Sequence, residues 1–207
     1  MDARVERLSE LDSQAVVLDL LRQLFLAGPT AGLIEGVASI QSHSLRLSPE
    51  GFAALEKIVS LAGGNSIPQS EWVEALQVEY TRLFIGPLDP RVHPYASCHL
   101  SLARSVISEE TLAVRDAYAR SGLVVERLNS LPDDHLGVEL EFLFALTRAA
   151  SDTDNPTEAS ALLAKRRDFV QRHCAPWFGK VADGIASECQ EPFHLAIGTL
   201  LRSCASV

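Results

Sequence analysis

Apolar positions along this chain fall at helical spacing. Tyr80, Leu83 and Phe84 recur at i, i+3 and i+4, and no stretch alternates cleanly over a strand length. β-Branched residues are scattered, and helix start and stop signals punctuate the chain throughout. Asp12 or Ser13 can cap a helix over residues 14–27, which Gly28-Pro29 ends. Thr30 can cap a second, to about Gln41. Ser48-Pro49-Glu50 supplies a capping hydroxyl, a first-turn proline and an acid that suits the helix dipole. That helix runs to Ala62 and stops at Gly63-Gly64. Ser70 opens a helix carrying Trp72, Leu76, Tyr80, Leu83 and Phe84, and Ser108-Glu109-Glu110 opens one ending at Ser121-Gly122. Pro132-Asp133-Asp134 opens a helix from about His135 to Ala150. Asn155-Pro156-Thr157-Glu158 starts Ala159 to Cys174, Pro176 starts a helix to about Cys189, and Pro192 starts the last, to about Cys204. The expected fold is all-α, with about nine helices in an irregular bundle.

One stretch breaks the pattern. Residues 85–107 hold Gly86, Pro87, Pro90, Pro94 and several small polar residues. A loop of about twenty residues is unusual inside a helical domain, and such loops are often functional. It divides the 207-residue chain into an N-terminal lobe, 1–84, and a C-terminal lobe, 108–207. A loop of this kind also permits exchange of lobes into a swapped dimer.

Composition and charge narrow the function. Eighteen Lys plus Arg against 27 Asp plus Glu give a net charge of -9, which argues against a nucleic-acid partner and suits a basic one. No run approaches the roughly 18 apolar residues of a membrane span, and Met1-Asp2-Ala3-Arg4 starts no secretory signal. A cytoplasmic protein without stable membrane insertion is expected. Cys98, Cys174, Cys189 and Cys204 are widely spaced and read as reduced thiols, the last three packing as small hydrophobes.

Two constellations carry candidate chemistry. Tyr80, Leu83 and Phe84 form either a core stripe or, at the helix end, one wall of a groove beside the long loop. Asp133, Asp134, His135 and Glu139 form either a helix cap with a surface pair, or a polar cluster at the lip of a cleft. Metal binding finds little support: His93, Cys98, His99 and His135 match no zinc spacing, and the chain has no Glu-x-x-His. No Gly-x-Ser-x-Gly elbow and no P-loop is present. Adjacent Asp134 and His135 diverge by about 100° on a helix, so Asp134 is poorly placed to orient His135 for a nucleophile. No enzyme activity, metal or cofactor is expected.

Taken in order, Glu79-Tyr80-x-x-Leu83-Phe84-x-Gly86-Pro87, then Pro94-Tyr95, then Pro132-x-Asp134-His135 with Glu139 and Phe142, resemble the TorD/DmsD family. The closing segment from Ala175-Pro176-Trp177 to Glu191-Pro192-Phe193 is similar too. These are cytoplasmic chaperones for molybdenum-containing oxidoreductases exported by the twin-arginine pathway. The resemblance implies an all-helical fold of two lobes joined by a hinge. It implies binding of the twin-arginine signal peptide and of the apo enzyme, held back from export until its cofactor is inserted. The chain departs from the pattern in Tyr80 and Tyr95, where tryptophan is common, and in Leu131, where an acid is frequent.

A signal peptide with two arginines and an apolar stretch needs an apolar groove beside carboxylates. The expected peptide-binding residues are Tyr80, Leu83, Phe84, Leu88 and Tyr95 for the groove, with Asp134, His135 and Glu139 at its acidic edge. Glu79, Asp133 and Glu141 are further carboxylate candidates. A metal- or cysteine-dependent helical enzyme using His135, and a helical adaptor for a folded partner, are the alternatives.

Overall fold

The computed structural model describes residues 3–64, 69–87, 89–101, 108–122 and 131–205, with side chains from residue 10 onward. It is all-α. Ten α-helices are described: α1 (Ala3–Ala27), α2 (Ala31–Ala38), α3 (Pro49–Gly63), α4 (Gln69–Phe84), α5 (Ala96–Leu100), α6 (Glu109–Arg120), α7 (Leu136–Asp152), α8 (Pro156–Phe169), α9 (Phe178–Glu188) and α10 (Pro192–Cys204). A 3-10 turn covers Ser42–Ser44, and a π-turn over Val170–Cys174 continues α8. The tenth helix is α5, a short turn inside the long loop.

Local chemistry explains most boundaries. The Thr30 hydroxyl accepts from Leu33 N–H, the Ser48 hydroxyl from Gly51 N–H, and the Asn155 side chain from Thr157 and Glu158 N–H. Ser108 closes a capping box with Thr111. Each satisfies first-turn donors that the helix leaves open, about 1 kcal/mol per cap. Gly28 and Gly122 end α1 and α6 at positive φ, 74° and 76°, which glycine adopts without a Cβ clash.

The expected start of the first helix at residue 14 is corrected. The helix runs straight through Asp12 and Ser13 from Ala3. Residues 3–11 are mainly good helix formers, so nothing stops it there. Ser13 instead turns inward and accepts a hydrogen bond from Arg46 N–H at 2.9 Å, while Asp12 sits 3.7 Å from Arg148 on α7. At the other end of the chain, α9 begins at Phe178 rather than Pro176, after the turn that follows the π-turn.

Packing joins the two halves of the chain. α1 lies along α7, α10 packs on α3 and α9, and α8 packs on α7. Leu21, Leu24 and Phe25 of α1, Leu140 and Leu143 of α7, Phe178 of α9, and Phe193 and Leu200 of α10 belong to one buried cluster. Burying each such side chain contributes roughly 1.5–3 kcal/mol. The α1–α7 approach is close: a Cβ on Gly137 would stand 2.8 Å from the Leu26 side chain and 3.1 Å from its backbone N. Tyr118, Phe142 and Phe169 stack at 4.6–5.8 Å and lock α6, α7 and α8 together. Cys174, Cys189 and Cys204 are buried free thiols, as their apolar neighbourhoods predict. No described helix is long and apolar enough to cross a membrane.

Candidate functional site

The end of α4 divides the expected aromatic stripe. Leu83 and Phe84 are core residues, 0% and 4% exposed, with Phe84 edge-on to Phe25 at 5.3 Å. Tyr80 is half-buried. Its ring lies 5.0 Å from Phe84, and its hydroxyl donates to the Phe25 carbonyl at 3.2 Å. Burial raises the Tyr80 pKa well above the usual phenol value, and Tyr95 adds to the effect. The chain then turns at Gly86, φ 62°, and Val92 N–H returns to the Leu83 carbonyl at 2.8 Å. A Cβ at Gly86 would meet the Asp89 carbonyl at 2.8 Å, so this turn requires glycine. Leu88 lies outside the described residues.

Beside this turn, Arg82 grips Glu79 through two hydrogen bonds of 2.7 and 2.8 Å and donates to the Glu188 carbonyl at 2.6 Å. The Arg82 bonds hold the Glu79 carboxyl at about 2, against the opposing effect of burial. This is planar, bidentate recognition of a carboxylate. Val78 of α4 and Ile85, just past its end, are 66% and 58% exposed.

The Asp133–His135 segment is a joint between the loop, α6 and α7. Ser97 N–H donates to Asp134 Oδ2 at 2.8 Å, and the Thr111 hydroxyl to Asp134 Oδ1 at 3.0 Å. Backbone bonds run in parallel: Ala96 N–H to the Asp134 carbonyl at 3.0 Å, and Leu136 N–H to the Pro94 carbonyl at 2.8 Å. Tyr95 and His135 form an isolated antiparallel bridge, with their rings 5.1 Å apart, edge to face. Asp133 pairs with Arg115 at 2.7 Å, and the Tyr118 hydroxyl donates to the Asp133 carbonyl at 2.9 Å.

The expected open carboxylate edge is therefore corrected for two residues. Asp134 and Glu139 are both 0% exposed, and Asp134 has each carboxylate oxygen bonded within the chain. Neither acid caps α7. That role belongs to His135, whose Nδ1 accepts from Gly137 N–H at 3.1 Å. Burial pushes the His135 imidazole down to about 4. His135 and Glu139 do not pair as side chains: Glu139 turns inward and accepts from the Trp177 indole N–H at 3.2 Å. Burial raises the Glu139 carboxyl well above the usual carboxylate range, with Asp134 adding to the rise.

Tyr95 is joined to Asp134 and His135, Tyr80 packs on Phe84, and Glu139 holds Trp177 in the core. Sequence reasoning missed the Arg82–Glu79 clasp, although the i, i+3 spacing of opposite charges was its signal. It also missed Glu191, which caps α10 and binds His194 Nδ1 at 2.9 Å. Among the described residues, no group of three or more His, Cys, Asp or Glu side chains is arranged to hold a metal.

Comparison with known proteins gives a consistent picture. The family model described as nitrate reductase delta subunit matches residues 46–183, about two thirds of the chain. The chain is 26% identical over 196 residues to the Tat proofreading chaperone DmsD of Salmonella typhimurium, covering 92% of this chain and 86% of that protein. It is 24% identical over 126 residues to the chaperone protein TorD of Vibrio parahaemolyticus, covering 61% of this chain and 59% of that protein. The TorD of Vibrio cholerae O1 El Tor is 25% identical over 108 residues, covering 52% and 49%. The matched segment runs from the turn before α3 into α9 and contains the α4 end and the Asp134–His135 joint, and on that ground the chain belongs to the nitrate reductase delta subunit family, that of TorD and DmsD.

Proposed function

We propose that this protein is a proofreading chaperone for a redox enzyme of the twin-arginine export route. It binds the signal peptide and the apo form of a molybdenum-containing oxidoreductase in the cytoplasm, and delays export until the cofactor is inserted. The observation that carries this reading is the Arg82–Glu79–Glu188 clasp beside the half-buried pair Tyr80 and Tyr95. One arginine already sits there in the geometry that a ligand arginine requires. An incoming arginine takes the place of Arg82 on Glu79, and the apolar stretch that follows lies over Tyr80 and Tyr95. Asp134 and His135 act one layer down, holding the Tyr95 segment in place, while Glu139 holds Trp177. Leu83 and Phe84 back the aromatic surface.

Magnitudes favour a division of labour. Burying about 400 Å² of apolar peptide surface gives roughly 10 kcal/mol gross, and ordering the peptide removes several kcal/mol of it. Each charge-assisted hydrogen bond adds about 1.5–3 kcal/mol, while micromolar affinity requires only about 8 kcal/mol. The apolar surface supplies most of the affinity; Glu79 and the net charge of -9 supply selection and encounter rate.

Titration of the full chain with a synthetic twin-arginine signal peptide tests this reading, with a two-lysine peptide as control. Arginine binds at least about tenfold tighter if bidentate carboxylate recognition operates. Equal affinity for the two peptides, or none for either, overturns it.

A further inference from the structure

Residues of α1, α3, α8 and α10 line a cavity of about 580 Å³ that no step above uses. Its chemistry is unlike that of the rest of this acidic chain. Among the described residues, Arg46, Arg166 and Arg202 line it, against the two carboxylates Glu10 and Glu50. Arg166, in the last turn of α8, is only 8% exposed, and its Nε–H has no hydrogen-bond partner. No carboxylate among the described residues lies within salt-bridge distance of it. Gln14 lines the same cavity. A guanidinium buried this deeply with no partner in the chain is costly unless something at the cavity meets it.

The walls say what kind of molecule fits. Ser48 and Glu50, at the start of α3, line the cavity, where the helix dipole adds positive potential. Arginine prefers planar or tetrahedral oxyanions that accept two hydrogen bonds at once. Val17, Leu18 and Leu47 give the remaining wall an apolar character. The volume lies in the range of small-molecule sites and far exceeds a bare inorganic anion. Arg202 is shared with Asp183, so it sits at the rim as an adjustable contact, and Arg46 is exposed at the mouth.

We propose that this cavity is a binding site for a small organic phosphate. Arg166 and Arg46 take the phosphate oxygens beside the α3 N-terminus. Val17, Leu18 and Leu47 cover the carbon body.

The test is titration of the full chain with phenyl phosphate, inorganic phosphate and glutarate at matched ionic strength, read by calorimetry and by melting temperature. Phenyl phosphate binds and raises the melting temperature, and does so at least about tenfold more tightly than either control. Arg46→Gln and Arg202→Gln, both at exposed positions, weaken it by about tenfold each without altering the melting temperature of the free protein. Arg166→Met abolishes binding. If Arg166→Met does not fold, the two rim variants decide alone. No binding of phenyl phosphate, unchanged binding in both rim variants, or equally tight binding of glutarate overturns the proposal.

Discussion

Ser97 and Asp134 stand 37 residues apart in the chain, yet the Ser97 N–H donates directly to the Asp134 carboxylate over 2.8 Å. The second oxygen of the same carboxylate accepts from Thr111, so a single side chain fastens the start of α5, the first turn of α6 and the entry to α7. Asp134→Ala leaves a buried N–H without a partner and removes two hydrogen bonds to a charged acceptor. It lowers stability by about 2–4 kcal/mol in urea denaturation. Thr111→Val, which removes only the hydroxyl, costs about 1 kcal/mol. A loss for Asp134→Ala no larger than that for Thr111→Val would contradict the joint.

Acid should loosen the same region. His135 has its pKa depressed from 6.5 to about 4 by burial, so the unfolded chain takes up a proton first. Its contribution is complete above about pH 6.5 and is lost as the pH falls toward 4, on the order of 3 kcal/mol. Glu79, held at about 2, adds a loss between about pH 4.5 and 2. His135→Asn keeps a capping side chain without a titrating group. In this variant the fall in stability between pH 6.5 and 4 is markedly shallower; an unchanged profile assigns the acid sensitivity to another group.

Glu139 carries the opposite sign. Its folded pKa is raised, so its contribution is present below about pH 4.5 and is lost as the pH rises through the folded value. Glu139→Gln retains an acceptor for the Trp177 N–H and has no charge to desolvate. The variant is at least as stable as the parent at pH 8, and its advantage shrinks toward pH 4. Chemical denaturation at the two pH values reads the difference, and destabilisation at pH 8 would show that the carboxylate is needed ionised.

Arg82 competes for the carboxylate that the proposed ligand needs. Arg82→Ala therefore tightens binding of a twin-arginine peptide severalfold, while Glu79→Gln weakens it about tenfold. Fluorescence anisotropy with a labelled peptide separates the two directions. Weaker binding in Arg82→Ala would place Arg82 among the contacts rather than among the competitors.

The α1–α7 contact admits no side chain at residue 137. Gly137→Ala gains about 1 kcal/mol in helix propensity but drives a Cβ into Leu26 at 2.8 Å, with the backbone N at 3.1 Å behind it. The overpacking cost of roughly 1–3 kcal/mol exceeds the gain, and thermal melting shows a net loss.

Helix boundaries were legible because capping is local: Thr30, Ser48, Ser108 and Asn155 each bond to N–H groups two or three residues away. The family was legible in the ordered motifs from Glu79 to Phe142. The burial of Asp134 was not, because its partners Ser97 and Thr111 come from 37 and 23 residues away, and an acid before a helix reads equally well as an exposed cap. Ser13 misled for the same reason, since its hydroxyl serves Arg46, 33 residues on. Arg166 gave no sequence signal at all; only the meeting of α1, α3, α8 and α10 isolates it.

The π-turn at Val170–Cys174 sets the angular phase of everything after it. One residue of α-helix corresponds to about 100° of rotation. Deleting a single residue from this wider coil would swing Trp177 away from Glu139 and carry the last two helices out of alignment with α3. Length here is thus under tighter control than chemistry, and many side-chain exchanges on its solvent side would be forgiven where one lost residue would not.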